Sequence, residues 1–220
     1  LHQCFRRQRQ MCIRDSWWEH SGLSESTWLP RLNDTRRRTN LTTVTRLGWS
    51  PLTEILDEGG LSYPEVSGDS LANEIDNMLC DLSTSESTLI HSDLRADNLL
   101  FNTVGDGVML VDWQGCSFGP SSFDITYHMI QSLSVDDRRK HESELLDYYV
   151  NSLEFFGHQI TIDEVHKLYR SSILYSLSIA CAVPLINDVE GPRVKELAFS
   201  MASRTLAALQ DHDIDFGQRT

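Results

Sequence analysis

The sequence predicts an α+β fold that is mainly helical, and three observations predict it. Apolar stripes at helical spacing fill most of the second half of the chain. Two short apolar runs lie together near the middle. Five residues containing two glycines, "TVGDG", separate those runs as a hairpin turn would. The expected order is one helix, a strand hairpin and then four helices.

The first helix is read in "DSLANEIDNMLCDL" (69–82), where Leu71, Ile75, Met78, Leu79 and Leu82 share a side. The strands are "NLLFN" and "VMLVDW". Residues 99–112 are expected to pack between helices with both faces covered, because Leu99, Leu100, Val108, Leu110 and Val111 are all apolar. "SSFDITYHMIQSL" then opens a helix just after a Gly-Pro stop. "DDRRKHESELLDYYVNSLEFFG" places Leu145, Tyr148, Tyr149, Ser152, Leu153 and Phe156 at i, i+3, i+4 spacing and ends on Gly157. "TIDE" (161–164) is a capping box that starts a helix through Val165, Leu168, Tyr169 and Ile173, which Pro184 is expected to end. A last helix, about 192–210, uses Val194, Leu197, Ala198, Met201 and Leu209. Upstream, "LGWSPLTEILDEGGLSYPEVSGDS" holds two prolines and four glycines, so any helix there is expected to be short. Residues 1–16 lack apolar period and are biased to arginine and glutamine. They are expected to be a disordered or foreign lead outside a domain spanning 17–215.

The 220 residues are 40% hydrophobic, enough to bury a core. Residues 1–38 carry +4 (eight arginines, four acids), which leaves −17 for the rest of the −13 total. That surface argues against nucleic acid or an anionic membrane as partner and hints at a cationic or neutral substrate. Cys4, Cys12, Cys80, Cys116 and Cys181 form no ligand-like spacing, and an odd count of thiols suits a cytoplasmic compartment better than a disulfide framework. The longest apolar run, "ILYSLSIACAVPLI", is 14 residues, too short to span a bilayer. The oligomeric state is not legible.

The chemistry lies in "LIHSDLRADNLLFN" (89–102), a charged knot between apolar flanks. His91-x-Asp93-x4-Asn98, then a hairpin, then Asp112 sets three oxygen-bearing side chains at the ends of neighbouring strands. Phosphoryl transfer needs that set: one aspartate to accept or orient the hydroxyl proton, and an asparagine and a second aspartate to hold Mg²⁺ against the phosphates. His91 is placed to anchor the loop through a backbone hydrogen bond. A polar turn that caps a helix accounts for the first motif alone; the hairpin ending in Val-Asp-Trp favours the phosphoryl-transfer reading.

"HSDLRADNLLF", "VMLVDWQ" and "GPSSFDITY" together resemble the core of the aminoglycoside phosphotransferase and choline-kinase-like enzymes, including the ecdysteroid-kinase-like group. The resemblance covers about residues 17–212. It implies a protein-kinase-like C-terminal lobe that transfers phosphate from ATP, with Mg²⁺, to a hydroxyl of a small molecule. Asp93 is then the catalytic base, and Asn98 and Asp112 hold metal and nucleotide. Asp124 is the buried carboxylate that steadies the loop, or else a helix-start carboxylate favourable to the dipole.

Departures from the family pattern shape the expectation. Ser92 stands where glycine is usual, and Gln114 where some members carry a second acid. These enzymes resemble kinases in carrying a phosphate-covering loop and a strand lysine. Here 90 residues precede His91, without a lysine or a Gly-x-Gly-x-x-Gly among them, and arginine differs in geometry from lysine. The chain is therefore expected to be a C-terminal lobe with most of its nucleotide-binding lobe absent, weak in binding Mg²⁺-nucleotide. A non-catalytic kinase-like interaction module is the competing reading. A metal-dependent hydrolase using His91, Asp93 and Asp97 is a third. Tyr127 and His128 are expected to be core residues, the pairs Tyr148–Tyr149 and Phe155–Phe156 to serve helix packing rather than a cofactor box, and Arg138–Arg139 to be a solvated helix start.

Overall fold

The computed structural model describes residues 27–102, 107–186 and 191–216. In order these form α1 (Thr35–Glu58), α2 (Gly68–Leu82), β1 (Thr88–Ile90), β2 (Leu99–Phe101), β3 (Val108–Leu110), β4 (Ser117–Gly119), α3 (Ser122–Ser132), α4 (Val135–Phe155), α5 (Ile162–Ile186) and α6 (Pro192–Asp211). Short 3₁₀ turns at Ala96–Asn98 and Trp113–Gly115 precede β2 and β4. The α+β, mainly helical class holds. The lead at 1–16 and the expected domain start at residue 17 lie outside the described residues.

Local chemistry sets the helix starts. Asp34, Ser67 and Ser134 accept from the amides of Arg36, Ser70 and Asp137 at 2.9, 3.1 and 3.1 Å, each covering a donor that the first turn leaves unpaired. The capping box forms in both directions: Glu164 N–H donates to Thr161 Oγ1, and Thr161 N–H to Glu164 Oε2, at 3.2 and 2.9 Å. Gly157, at φ 90°, supplies the left-handed residue after α4.

α5 is the axial helix and packs against α1, α2, α3, α4 and α6. Over Ile162–Leu185 it is long and apolar enough to cross a membrane, which the 14-residue run alone is not. In the fold, 61% of its most apolar window is buried against protein. It also runs past Pro184 to Ile186 instead of ending there.

The largest correction is α1. A short helix was expected, and 24 residues form with Pro51 inside. The glycine that reads as a breaker is a packing device. A Cβ on Gly48 would stand 1.9 Å from the carbonyl oxygen of Cys181, so its absence lets α1 lie directly on the α5 backbone. Trp49 beside it seals the contact, its ring buried and its Nε1–H donating to Val66 O at 2.8 Å.

The strands form two antiparallel pairs. β2 and β3 make the expected hairpin, in register Leu99↔Leu110, Leu100↔Met109 and Phe101↔Val108. It is covered on one face only: Leu99 is buried, whereas Leu100 and Met109 are 54% and 63% exposed. A period of two sends alternate residues to opposite faces, so an apolar run does not by itself demand two covers. β4 is an element the sequence reading lacked. It pairs with β1 in register Leu89↔Phe118 and accepts the incoming chain through Phe118 N–H to Pro30 O and Leu32 N–H to Phe118 O, at 2.8 and 3.1 Å.

Two smaller expectations fail. Arg138 is buried, bonded to Glu142 and Asp211, where Tyr169 also donates to Glu142 at 2.8 Å. Burial alone would raise the Glu142 pKa, but the His212, Tyr169 and Arg138 donors outweigh it and hold the carboxyl below its ordinary range. Phe155 is 82% exposed and touches only the edge of Phe156 among aromatic rings.

Gly48→Ala tests the α1–α5 contact. Forcing a methyl into a backbone carbonyl costs about 3 kcal/mol, against about 1 kcal/mol gained in helix propensity. The thermal midpoint is expected to fall by roughly 5 °C.

Candidate active site

The loop after β1 is held by a carboxylate in the first turn of α3. Asp124, wholly buried, accepts from His91 N–H (Oδ2, 2.7 Å) and Ser92 N–H (Oδ1, 2.8 Å). Asp124 thus occupies both expected positions at once, a helix-start carboxylate and the clamp of the loop. Ser92, at φ 67°, lies in the left-handed region, where glycine rests without strain. Two contacts hold it there besides Asp124. Tyr175 Oη–H donates to Ser92 O at 2.9 Å, and the Ser92 and Ser117 hydroxyls pair at 3.0 Å. Burial raises the Tyr175 phenol to about 12, which keeps it a donor.

His91 links this loop to the strand that carries Asp112. Asp93 N–H donates to His91 Nδ1 at 3.3 Å, so the proton sits on Nε2 and is donated to Val111 O at 2.8 Å. Val111 N–H in turn donates to Asn98 O at 3.0 Å. Val111 is held on both sides of its backbone, and Asp112, next in the chain, is fixed beside Asn98. Asp112 is exposed and left-handed (φ 64°), turning the chain into Trp113–Gly115. Trp113 lies against the His91 ring, 4.8 Å between centroids.

Asn98 is buried, and its Nδ2 donates to Asp93 O and Asp93 Oδ2 at 2.8 and 3.0 Å. The amide oxygen is left as the acceptor end. The other oxygen of Asp93 faces Arg95 Nε at 3.2 Å, an ion-pair distance without hydrogen-bond geometry, and Arg95 is shared with Asp97. Ala96 N–H donates to Ser132 Oγ at 2.9 Å, tying the far side of the loop to the end of α3.

The structure therefore brings Asp93, Asn98, Asp112, His91 and Asp124 into one connected unit. It does not assemble the hydrolase set: both His91 nitrogens face backbone groups, and no cluster of three or more His, Cys, Asp or Glu able to hold a metal occurs among the described residues. The donor chemistry fits Mg²⁺ with nucleotide better than metal alone. One amide oxygen and one carboxylate are what the protein supplies where phosphates complete the shell.

Asp93 opens onto a cavity of about 830 Å³. Its charged lining is Asp34, Arg36, Arg37, Asp93 and Arg95, and its walls include Leu41, Ile179 and Val183. Sequence reasoning missed two of its residues. Arg37, counted only among the eight arginines of residues 1–38, donates to Gly115 O at 3.3 Å and has its buried Nε without a partner. Tyr127, assigned to the core, lines the cavity as well. The signal was its place three residues after Asp124, on the same helix face.

Comparison with known proteins gives a family match over part of the chain and a fold match. Residues 65–159 match the ecdysteroid kinase-like family. An uncharacterised kinase-like protein of Caenorhabditis elegans is 33% identical over 86 residues, 38% of this chain and 23% of that protein. The fold matches, at TM-score 0.60 and 12% identity, the crystal structure of a Ralstonia eutropha protein assigned to the aminoglycoside phosphotransferases. That match covers 94% of this chain and 64% of the other. Residues 65–159 are thus similar to the ecdysteroid kinase-like family, and the fold is similar to that of the solved structure. The chain spans under a quarter of its curated kinase-like relative and under two thirds of the structure it matches.

Asp124→Asn tests the clamp of this loop. It keeps the shape but turns an –NH₂ group toward a backbone N–H, and an unpaired buried donor costs about 1–3 kcal/mol. Hydrogen exchange at the His91 and Ser92 amides is expected to accelerate at least tenfold, with helix α5 unaffected.

Proposed function

We propose that this chain carries the catalytic lobe of an ATP- and Mg²⁺-dependent phosphotransferase acting on a hydroxyl of a small molecule. One observation carries the reading: Asp93, Asn98 and, across the hairpin, Asp112 belong to one hydrogen-bonded unit with Asp124, His91 and Val111, and Asp93 lines a cavity sized for a small molecule. Asp93 is the base. Its carboxylate accepts the proton of the acceptor hydroxyl while the new O–P bond forms, the γ-phosphoryl bond to ADP breaks, and ADP leaves with the electron pair. Asn98, through its amide oxygen, and Asp112 would hold Mg²⁺, which would supply charge neutralisation on the phosphates.

The lining of the cavity supports the same reading. Arg36 and Arg37 add positive charge next to the base in a chain that is acidic as a whole, which favours an anionic group near the reacting oxygen. Tyr127, Tyr175 and the aliphatic walls suit an acceptor with an apolar body. The second reading, an interaction module that does not hold nucleotide, is favoured by one feature: the described cations lining the cavity are arginines, and Lys195 is paired with Glu58 elsewhere.

Transfer from γ-labelled ATP to a panel of hydroxyl compounds, together with Mg²⁺-dependent nucleotide binding by calorimetry, separates the two. Asp93→Asn is expected to lower kcat by about 10²–10⁴ with nucleotide binding intact. Asp112→Ala is expected to abolish Mg²⁺-dependent nucleotide binding while the helical fold, read by circular dichroism, persists. Full turnover in Asp93→Asn removes the assignment of the base. Nucleotide binding that is undetectable in the parent protein favours the module.

A further inference from the structure

Tyr127 presents a polar atom that the fold does not use. Its ring is 1% exposed in the second turn of α3, edge-on to Tyr175 with centroids 5.6 Å apart. Its hydroxyl is buried and makes no hydrogen bond of good geometry. Phenylalanine would fill the same space without that penalty, because a buried hydroxyl that lacks a partner lowers stability. Packing therefore accounts for the ring and not for the oxygen.

The oxygen has a neighbour of one kind. Tyr127 and Asp93 line the same cavity. Burial first, and then the charge of Asp93, push the phenol well above its ordinary range, so the hydroxyl is always a potential donor and stands within electrostatic reach of that carboxylate. The holds that Asp93 now has come from its own loop: Asn98 Nδ2 on one oxygen, and on the other Arg95, which is shared with Asp97. Neither acts from the α3 side, where Tyr127 stands on the helix that Asp124 anchors to the loop.

We propose that the Tyr127 hydroxyl is a positioning group for Asp93, donating to its carboxylate from the α3 side and holding it turned toward the cavity while the acceptor hydroxyl gives up its proton. This rests on Asp93 being the base. The helix that fixes the loop backbone through Asp124 then also fixes the reactive side chain through Tyr127, one turn further on. A hydroxyl retained at a cost in stability is the pattern expected where function needs the group.

The test compares the protein with its Tyr127→Phe, Asp93→Asn and doubly substituted forms in phosphate release and transfer from ATP, with thermal midpoints measured alongside. Tyr127→Phe is expected to lower kcat about tenfold with KM for ATP unchanged, and to leave the midpoint unchanged or raised. In the Asp93→Asn background it is expected to change nothing further, because a group that acts through Asp93 has nothing left to position. Full kcat in Tyr127→Phe beside a slow Asp93→Asn overturns the proposal and leaves the base standing. So does a midpoint lowered by several degrees, or equal slowing in both backgrounds, since either makes the role structural. Full turnover in Asp93→Asn removes the base and the Tyr127 role with it.

Discussion

The buried carboxylate of Asp124 is the constraint on which the site depends. It accepts two backbone N–H groups from consecutive residues, His91 and Ser92, and bonds of this charge-assisted kind are about twice as strong as neutral ones. Consecutive amides converge on one acceptor only where the chain turns sharply, and the turn is made by Ser92 in the left-handed region. A non-glycine residue there costs on the order of 1 kcal/mol, which the Asp124, Tyr175 and Ser117 contacts offset. The bent backbone is what aims Asp93 outward while His91 points back into the fold.

From that turn the rest follows by short links. His91 reaches Val111, Val111 reaches Asn98, and Asn98 reaches Asp93. The loop is thus a closed ring of hydrogen bonds around two acidic side chains and one amide. Its rigidity comes from elsewhere, from α5 and the helices packed on it, since Tyr175 on α5 is the residue that bonds Ser92 O. Mechanism and stability meet at that tyrosine. A helical fold can thereby hold a short loop in one fixed shape.

Much of this was legible in the sequence because the signals were local. Asp93, Asn98 and Asp112 sit in a short window with a hairpin between them, and four of the five expected helices needed only period and caps. The misses share a different cause. α1 was hidden because Gly48 and Pro51 read as breakers, while the close approach of α5 that needs the glycine lies 133 residues away, at Cys181. β4 was missed because "SFG" is three residues whose partner, β1, precedes it by a hairpin and a turn. Arg138 was taken as solvated because Asp211, 73 residues on, is its partner. Each depends on a contact between distant segments, which period and propensity do not encode.

The charge of the whole chain and that of the cavity lining differ in sign. A chain at −13 suggests a cationic or neutral ligand, yet beside Asp93 the side chains are Arg36, Arg37 and Arg95 against Asp34 and Asp93. Asp34 is engaged at the start of α1 and Asp93 faces Arg95, which leaves Arg36 and Arg37 without carboxylate partners in the cavity among the described residues. Total charge governs long-range encounter and solubility, whereas the local potential in a low-dielectric cleft is set by the few groups within a Debye length, about 8–10 Å. An acidic exterior with a locally cationic cavity is therefore no contradiction. The lining gives the cavity a local charge opposite in sign to that of the chain as a whole.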